Sequence, residues 1–448
     1  MLQPYAYKPP TALEVRDWRR LPGFASVGER EWLSSTWQLK HAIRDAAGVR
    51  RVFGRHADDT LLETIHADQR HWATMPLLVP PHVANAMDER DLWSDPLRRY
   101  MLPAAVDRDP TWPSHPRARR DSLYEMDMWA VEGLTRRYPY KVLVELVASC
   151  PQYCGHCTRM DLVGSSTPSF SKQRLSGSAP ERDRAMLDYI SSETTLRGVV
   201  LSGGDIANVE LERLEHFVGE LLEIDHVRDV RLASKALGSL PQHFLRPDVL
   251  AVLERIATKA GSRGVELSLH THINHINGVS ETVQSASRAV REAGITQIRN
   301  QAVLLRDVND DLVTMLDLCF GLLDNVGITP YYVYMCDMIP NAEHWRTSLA
   351  DAQELQTAIQ GYLPGFGTPR VVCDVPRAGK RGVHEASAYD RVMGISRWRK
   401  AFATPLEDGE LPERLFDYYD PMHSLPDEGR ERWTELLSRE GLLAVERT

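Results

Sequence analysis

The chain has 448 residues, 43% of them hydrophobic and 26% charged, and a formal net charge of −9. That is the composition of a globular chain able to bury a large core. The acidic balance excludes a general affinity for nucleic acid or an anionic membrane and leaves a small molecule as the default substrate class.

The N-terminus, MLQPYAYKPP, carries no apolar signal core, and no run reaches transmembrane length, so a cytoplasmic location is expected. Residues 1 to about 135 read as helical and irregular. Trp32, Trp37, Leu39, Ile43 and Val49 recur at roughly helical spacing over 31–52, and 59–72 is similar. Pro80, Pro81, Pro103, Pro110, Pro113 and Pro116 keep later helices short, and 107–121 reads as a surface connection.

From about Tyr138 short β-branched runs alternate with amphipathic stretches. Strands are predicted at 142–147, 198–202, 227–232, 265–270, 297–304 and 331–335, and helices at 209–224, 243–259, 280–292 and 311–323. This alternation predicts an α/β fold with a parallel sheet and right-handed crossovers. Six units are too few for the eight-stranded barrel, so an open partial barrel of six β/α units is expected. It would occupy 136–345, between a mostly helical extension (1–135) and a C-terminal segment (346–448). The latter holds a helix at 349–363, a possible strand at 370–373 and an aromatic tail from Asp390 that reads as a packing or subunit-contact extension. In parallel α/β folds the site lies at the carboxyl ends of the strands.

The first strand runs into ELVASCPQYCGHCTRMD, where Cys150, Cys154 and Cys157 stand at C-x3-C-x2-C spacing. Three thiolates are one short of the four that saturate an iron–sulfur cluster, which leaves one iron open. The alternatives are a zinc site with His156 as fourth ligand, or three buried thiols. Cys319, Cys336 and Cys373 fit small buried apolar residues, and a long cytosolic chain argues against a disulfide framework. LSGGD ends the second strand. Its Ser202, Gly203, Gly204 and Asp205 could bring the backbone against a ligand, or form an ordinary turn. LHTHINH, with His270, His272, Asn274 and His275, reads as polar rim residues sooner than as a metal site. Lys380 in DVPRAGK could form a Schiff base with an aldehyde cofactor, although a lone lysine is usually a solvated surface group. Asp337 and Asp374 each follow an apolar, cysteine-ending run. They could jointly bind a cationic group, or serve as caps.

From about Trp32 to Lys380 the chain resembles the lysine 2,3-aminomutases, radical S-adenosylmethionine enzymes that also use pyridoxal phosphate. The likeness is carried in order by EWLSSTWQLKHAI, MPLLVPPHV, DPLRRYMLP, VEGLTRRYPYKVL, CPQYCGHCTRM, LSGGD, RLASK with LPQ, THINH, NQAVLLRDVND and PYYVYMCD. The resemblance implies that Cys150, Cys154 and Cys157 hold a [4Fe–4S] cluster whose open iron takes S-adenosylmethionine. It places Ser202, Gly203, Gly204 and Asp205, with Ser234 and His272, around that molecule. It implies that Lys380 carries pyridoxal phosphate near Arg137, Tyr138, Lys141 and His156, that Arg159 meets the substrate carboxylate, and that Asp337 and Asp374 meet a side-chain ammonium. The expected reaction moves the amino group of a basic L-amino acid from Cα to Cβ by way of a 5′-deoxyadenosyl radical. L-Lysine is favoured, with arginine or ornithine second.

An electron donor such as flavodoxin or ferredoxin and an oligomer of identical chains are expected partners. Decarboxylation, epimerisation or oxidation on the same scaffold, a relative serving a translation factor, and an iron–sulfur sensor are the rival readings. The chain departs from the family pattern at Lys141, Gly155 and Met160, where the family has arginine. The loop PRAGK is shorter than the family's glycine loop. Structural zinc is not expected, because Asp311 stands at the family's first zinc cysteine and no cysteine follows Cys373.

Overall fold

The computed structural model describes residues 5–9, 13, 16–400, 402–407 and 414–442. Part of the N-terminal stretch read for a signal core lies outside them. Ten strands pair in sequence order in one sheet. They are β1 (Trp129–Val131), β2 (Leu134–Tyr138), β3 (Lys141–Val147), β4 (Gly198–Gly203), β5 (Asp229–Ala233), β6 (Glu266–Thr271), β7 (Gln297–Leu304), β8 (Thr329–Met335), β9 (Arg370–Val375) and β10 (Gly379–Gly382). Neighbours from β3 to β9 are parallel, while β1, β2 and β10 run antiparallel to theirs. The six expected strands are present. The possible strand at 370–373 is a seventh parallel member, paired with β8 through Tyr332↔Arg370.

The crossovers are the helices Ala179–Ser192, Leu211–Leu221, Pro247–Ser262, Glu281–Glu292, Leu312–Phe320 and Leu349–Ile359. Ser280, Asp311 and Ser348 cap three of them, each side chain accepting from an amide in the first turn. The two-residue period of a strand divides the sheet into two faces. Val142, Val144, Val199, Leu201, Val230, Leu232, Leu267 and Leu269 are buried in the core shared with the helices. The intervening residues, such as Lys141 and Leu143, Val200 and Ser202, Arg231 and Ala233, line a cavity on the other face.

The helix expected over 31–52 is instead three short ones, Glu29–Trp32, Ser35–Lys40 and Ala46–Phe53, because Ser34 and Asp45 each cap a new start. With Asp59–His71 they build a second core, which Cys150 and Cys157 abut. The segment 107–121 is more than a surface connection. Arg108 is buried against Asp68 at 2.5 Å, and the buried His115 ring stacks on Tyr419 at 5.2 Å. The tail forms a three-stranded sheet, β11 (Ala388–Asp390), β12 (Ile395–Arg399) and β13 (Leu415–Tyr419), followed by the helix Asp427–Arg439. Among the described residues no helix is long and apolar enough to cross a membrane.

Candidate active site

The sheet curls until its ends meet, but β2 and β10 are not ladder partners. Side chains join them instead. Arg137 on β2 pairs with Asp374 at 2.7 Å and donates to the Val375 carbonyl at 2.7 Å, and the Tyr138 hydroxyl accepts from the Lys380 amide at 3.0 Å. The curl encloses a cavity of about 340 Å³. The residues to which the resemblance gives a site role all border it: Lys380, Arg137, Tyr138, Lys141, His156, Ser202, Gly203, Gly204, Asp205, Ser234, His272, Arg159, Asp337, Asp374, Cys150, Cys154 and Cys157; Asn274 and His275 do not.

At one end lies the cysteine loop. The glycine pair at the end of β4 serves this loop. A Cβ on Gly203 would run into the Val147 carbonyl, and one on Gly204 into the Ser149 carbonyl. Gly203 also has φ +110°, a backbone that suits glycine. The Gly204 amide donates to Val147 O at 2.6 Å and the Asp205 amide to Ser149 O at 3.1 Å. Asp205 accepts from the Ser234 hydroxyl at 2.6 Å and the Lys235 amide at 2.8 Å, so its carboxylate braces the loop after β5. The Lys235 ammonium then reaches Cys154 Sγ at 2.9 Å. Burial, and then the Cys154 thiol, push the Cys157 thiol up to about 11, so the thiolates need a positive partner to form.

His156 and His272 face each other across 5.7 Å. Burial, then the charge of Lys235, holds both well below the ordinary histidine value, so both are neutral. Both ring nitrogens of His156 and Nε2 of His272 are buried without partners. The rest of the His/Asn run forms internal bonds. Asn274 accepts from the Val303 amide at 2.9 Å, and His270 meets Gln301 at 3.0 Å. Gly155 stands where Trp345 fills the neighbouring space, and Met160 is buried in the second core. Asp311, which stands where the family pattern has its first zinc cysteine, caps a helix.

At the other end stands Lys380. It is not a solvated surface lysine. It lies on β10 opposite Asp374, with its ammonium 5.4 Å from the Tyr334 ring and 5.8 Å from the Tyr138 ring. Burial disfavours its charge, but Tyr334, Tyr138 and Asp374 outweigh that and raise its pKa. Burial, then Lys380 and Arg231, lowers Lys141 to about 8. Asp337 is pushed up to about 7 by burial and then by Asp374. Arg159 borders the cavity, yet its guanidinium is already engaged by Glu125 at 2.7 and 2.9 Å and by Glu145 at 3.2 Å.

Glu125, Glu145, Arg231, Lys235, Tyr332 and Tyr334 escaped the sequence reading. Three of these left a trace. Glu145 interrupts the apolar run VLVELV, and Tyr332 and Tyr334 sit two apart in YYVYM, both facing the cavity.

No family model matches the chain. Among curated proteins, an L-lysine 2,3-aminomutase from Clostridium subterminale is 30% identical over 81% of this chain and 80% of its own length. The chain belongs to the lysine 2,3-aminomutase family. It is therefore an enzyme, an isomerase. The family likeness extends to a glutamate 2,3-aminomutase from Clostridioides difficile, 25% identical over 78% of this chain and 76% of that protein. Among solved structures, a radical SAM methyltransferase from Sphaerobacter thermophilus aligns with TM-score 0.33 and 14% identity over 57% of this chain and 71% of its own, too distant to carry a conclusion.

Proposed function

We propose that this family member is a radical S-adenosylmethionine, pyridoxal-phosphate-dependent 2,3-aminomutase for a basic L-amino acid, with the lysine side chain favoured over those of arginine and ornithine. The supporting observation is that one cavity brings three cysteines, a histidine pair with three unpartnered ring nitrogens, a half-buried lysine and two aspartates together.

The residues fit the implied groups. Cys150, Cys154 and Cys157 would hold three irons of a [4Fe–4S] cluster beside the positive Lys235. Ser202, Gly203, Gly204, Asp205, Ser234 and His272 border the space for S-adenosylmethionine. Arg137, Tyr138, Lys141 and Lys380 offer cations and a phenol for a phosphate and an aldehyde, and the orphaned nitrogens of His156 offer it a polar contact. When bound, these cofactors supply the radical and the electron sink. The chain supplies placement. Lys380 presents its amine from a strand and not from a mobile loop, clasped by two tyrosine rings. Asp337 and Asp374 offer carboxylates to a cationic side chain. The N-terminal core, against which Cys150 and Cys157 pack, keeps water from the cysteine loop.

The test is anaerobic reconstitution with iron, sulfide, pyridoxal phosphate and S-adenosylmethionine, followed by incubation with lysine, arginine, ornithine and glutamate. A β-amino product from a basic amino acid is expected, and no β-amino product from any of the four overturns the proposal. Lys380→Ala is expected to remove both the pyridoxal absorbance and the activity.

A further inference from the structure

Arg159 is already paired with carboxylates before any substrate arrives. Its Nε and Nη2 form a two-point pair with Glu125, and Nε also lies 3.2 Å from Glu145 Oε1. Glu125 borders the cavity, on a turn whose Glu125 and Met126 amides donate to Asp121 at 2.9 and 3.0 Å. Glu145 does not border it. It sits on β3, 2% exposed, with Oε2 buried and unpartnered. One guanidinium therefore answers two carboxylates. A free α-carboxylate brought to Arg159 would be a further anion around one cation where little water can screen the repulsion. An amide or ester carbonyl accepts a hydrogen bond from the same guanidinium and adds no net charge.

We propose that Glu145, acting through Arg159 together with Glu125, sets the enzyme to take a basic amino acid whose carboxyl group is masked as an amide or ester in preference to the free amino acid. This rests on reading the cavity as a 2,3-aminomutase site and names the class of its substrate. Glu145 is a positioning residue. It neutralises Arg159 from behind and touches no substrate atom.

The test uses the reconstituted holoenzyme with L-lysine, L-lysinamide and lysyl-alanine. The expected result is a kcat/KM for lysinamide or the dipeptide at least about tenfold above that for lysine, a difference ordinary for one uncompensated charge in a site. Preference for lysinamide over the dipeptide, or the reverse, separates a small amide from a peptide terminus as the source of the carbonyl. Glu145→Gln keeps the shape and removes the charge. It is expected to move the preference toward free lysine by about tenfold, through KM with kcat retained. A purely structural role would weaken all three substrates alike. Wild-type preference for free lysine, measured without any variant, overturns the proposal, and so does an unmoved ratio in Glu145→Gln. In both cases the aminomutase reading stands. No β-amino product from any of the three, nor from arginine or ornithine, removes the aminomutase reading and this proposal with it.

Discussion

At the residue scale, the protonation of Asp337 governs how the cavity receives a cation. Burial and then Asp374 push its pKa up to about 7. Below that pH it is mostly a neutral acid, and above it an anion able to pair with an ammonium. The KM for a basic substrate is therefore expected to fall as the pH rises through about 7. Asp337→Asn should flatten that profile and raise KM by on the order of a hundredfold, as read from initial rates across the pH range. Stability runs the other way. A carboxyl that binds its proton more tightly in the folded state contributes most below its unfolded value of about 4 and loses that contribution up to about 7. The stability of Asp337→Asn relative to wild type should accordingly improve between pH 5 and pH 8, as measured by thermal melts. Asp337 and Asp374 were legible in the sequence because each ends an apolar run, and a carboxylate at a strand's carboxyl end has a cavity to face. Glu145 was not, because the cation that answers it, Arg159, and the second carboxylate on that cation, Glu125, reach it only through tertiary structure.

At the element scale, the strand–loop junctions set the geometry. The turn after β4 fits the turn after β3 backbone to backbone, with no room for a side chain. Gly204→Ala must displace the Ser149 carbonyl, and with it the start of the cysteine loop. A loss of about 2–4 kcal/mol is expected. Iron content after reconstitution should fall below wild type, while far-ultraviolet circular dichroism stays unchanged. The glycines border the cavity, and the close approaches that require them are to the Val147 and Ser149 carbonyls. Strands β3 to β8 were legible because β-branched runs carry their own signal. β9 reads only as a possible strand at 370–373, because Asp374 ends its apolar run before the strand itself ends, and the helix Ala179–Ser192 buries only Met186 and Ile190, too few to mark a period. The helix at 31–52 failed as a unit because apolar spacing continues across chain breaks that only capping residues reveal.

At the scale of the whole molecule, three cores divide the work. The largest holds sheet and helices, the second covers the cysteine loop, and the third gathers Met422, Leu425, Trp433 and Leu437 in the tail. The tail was legible as a packing element from its aromatics, but its partners were not. Trp433 packs on His115 and Tyr419, and Trp433 Nε1 donates to the Met393 carbonyl at 2.8 Å. Trp433→Ala should cost about 3–5 kcal/mol and lower the melting temperature. Turnover below the transition should change by no more than about threefold, because the third core contains no cavity residue.

The seam between β2 and the β9–β10 hairpin has a thermodynamic consequence. It is stitched by Arg137, Asp374, Tyr138 and Lys380, four residues that also wall the cavity. A guanidinium that swings to an incoming anion leaves Asp374, and a carboxylate that turns to an incoming cation leaves Arg137. Loading and zipping are then linked equilibria. Each partner that docks redistributes the bonds holding the first strands to the last, and the amides of 374–382 should register every occupancy of the chamber as a change in their rate of hydrogen exchange.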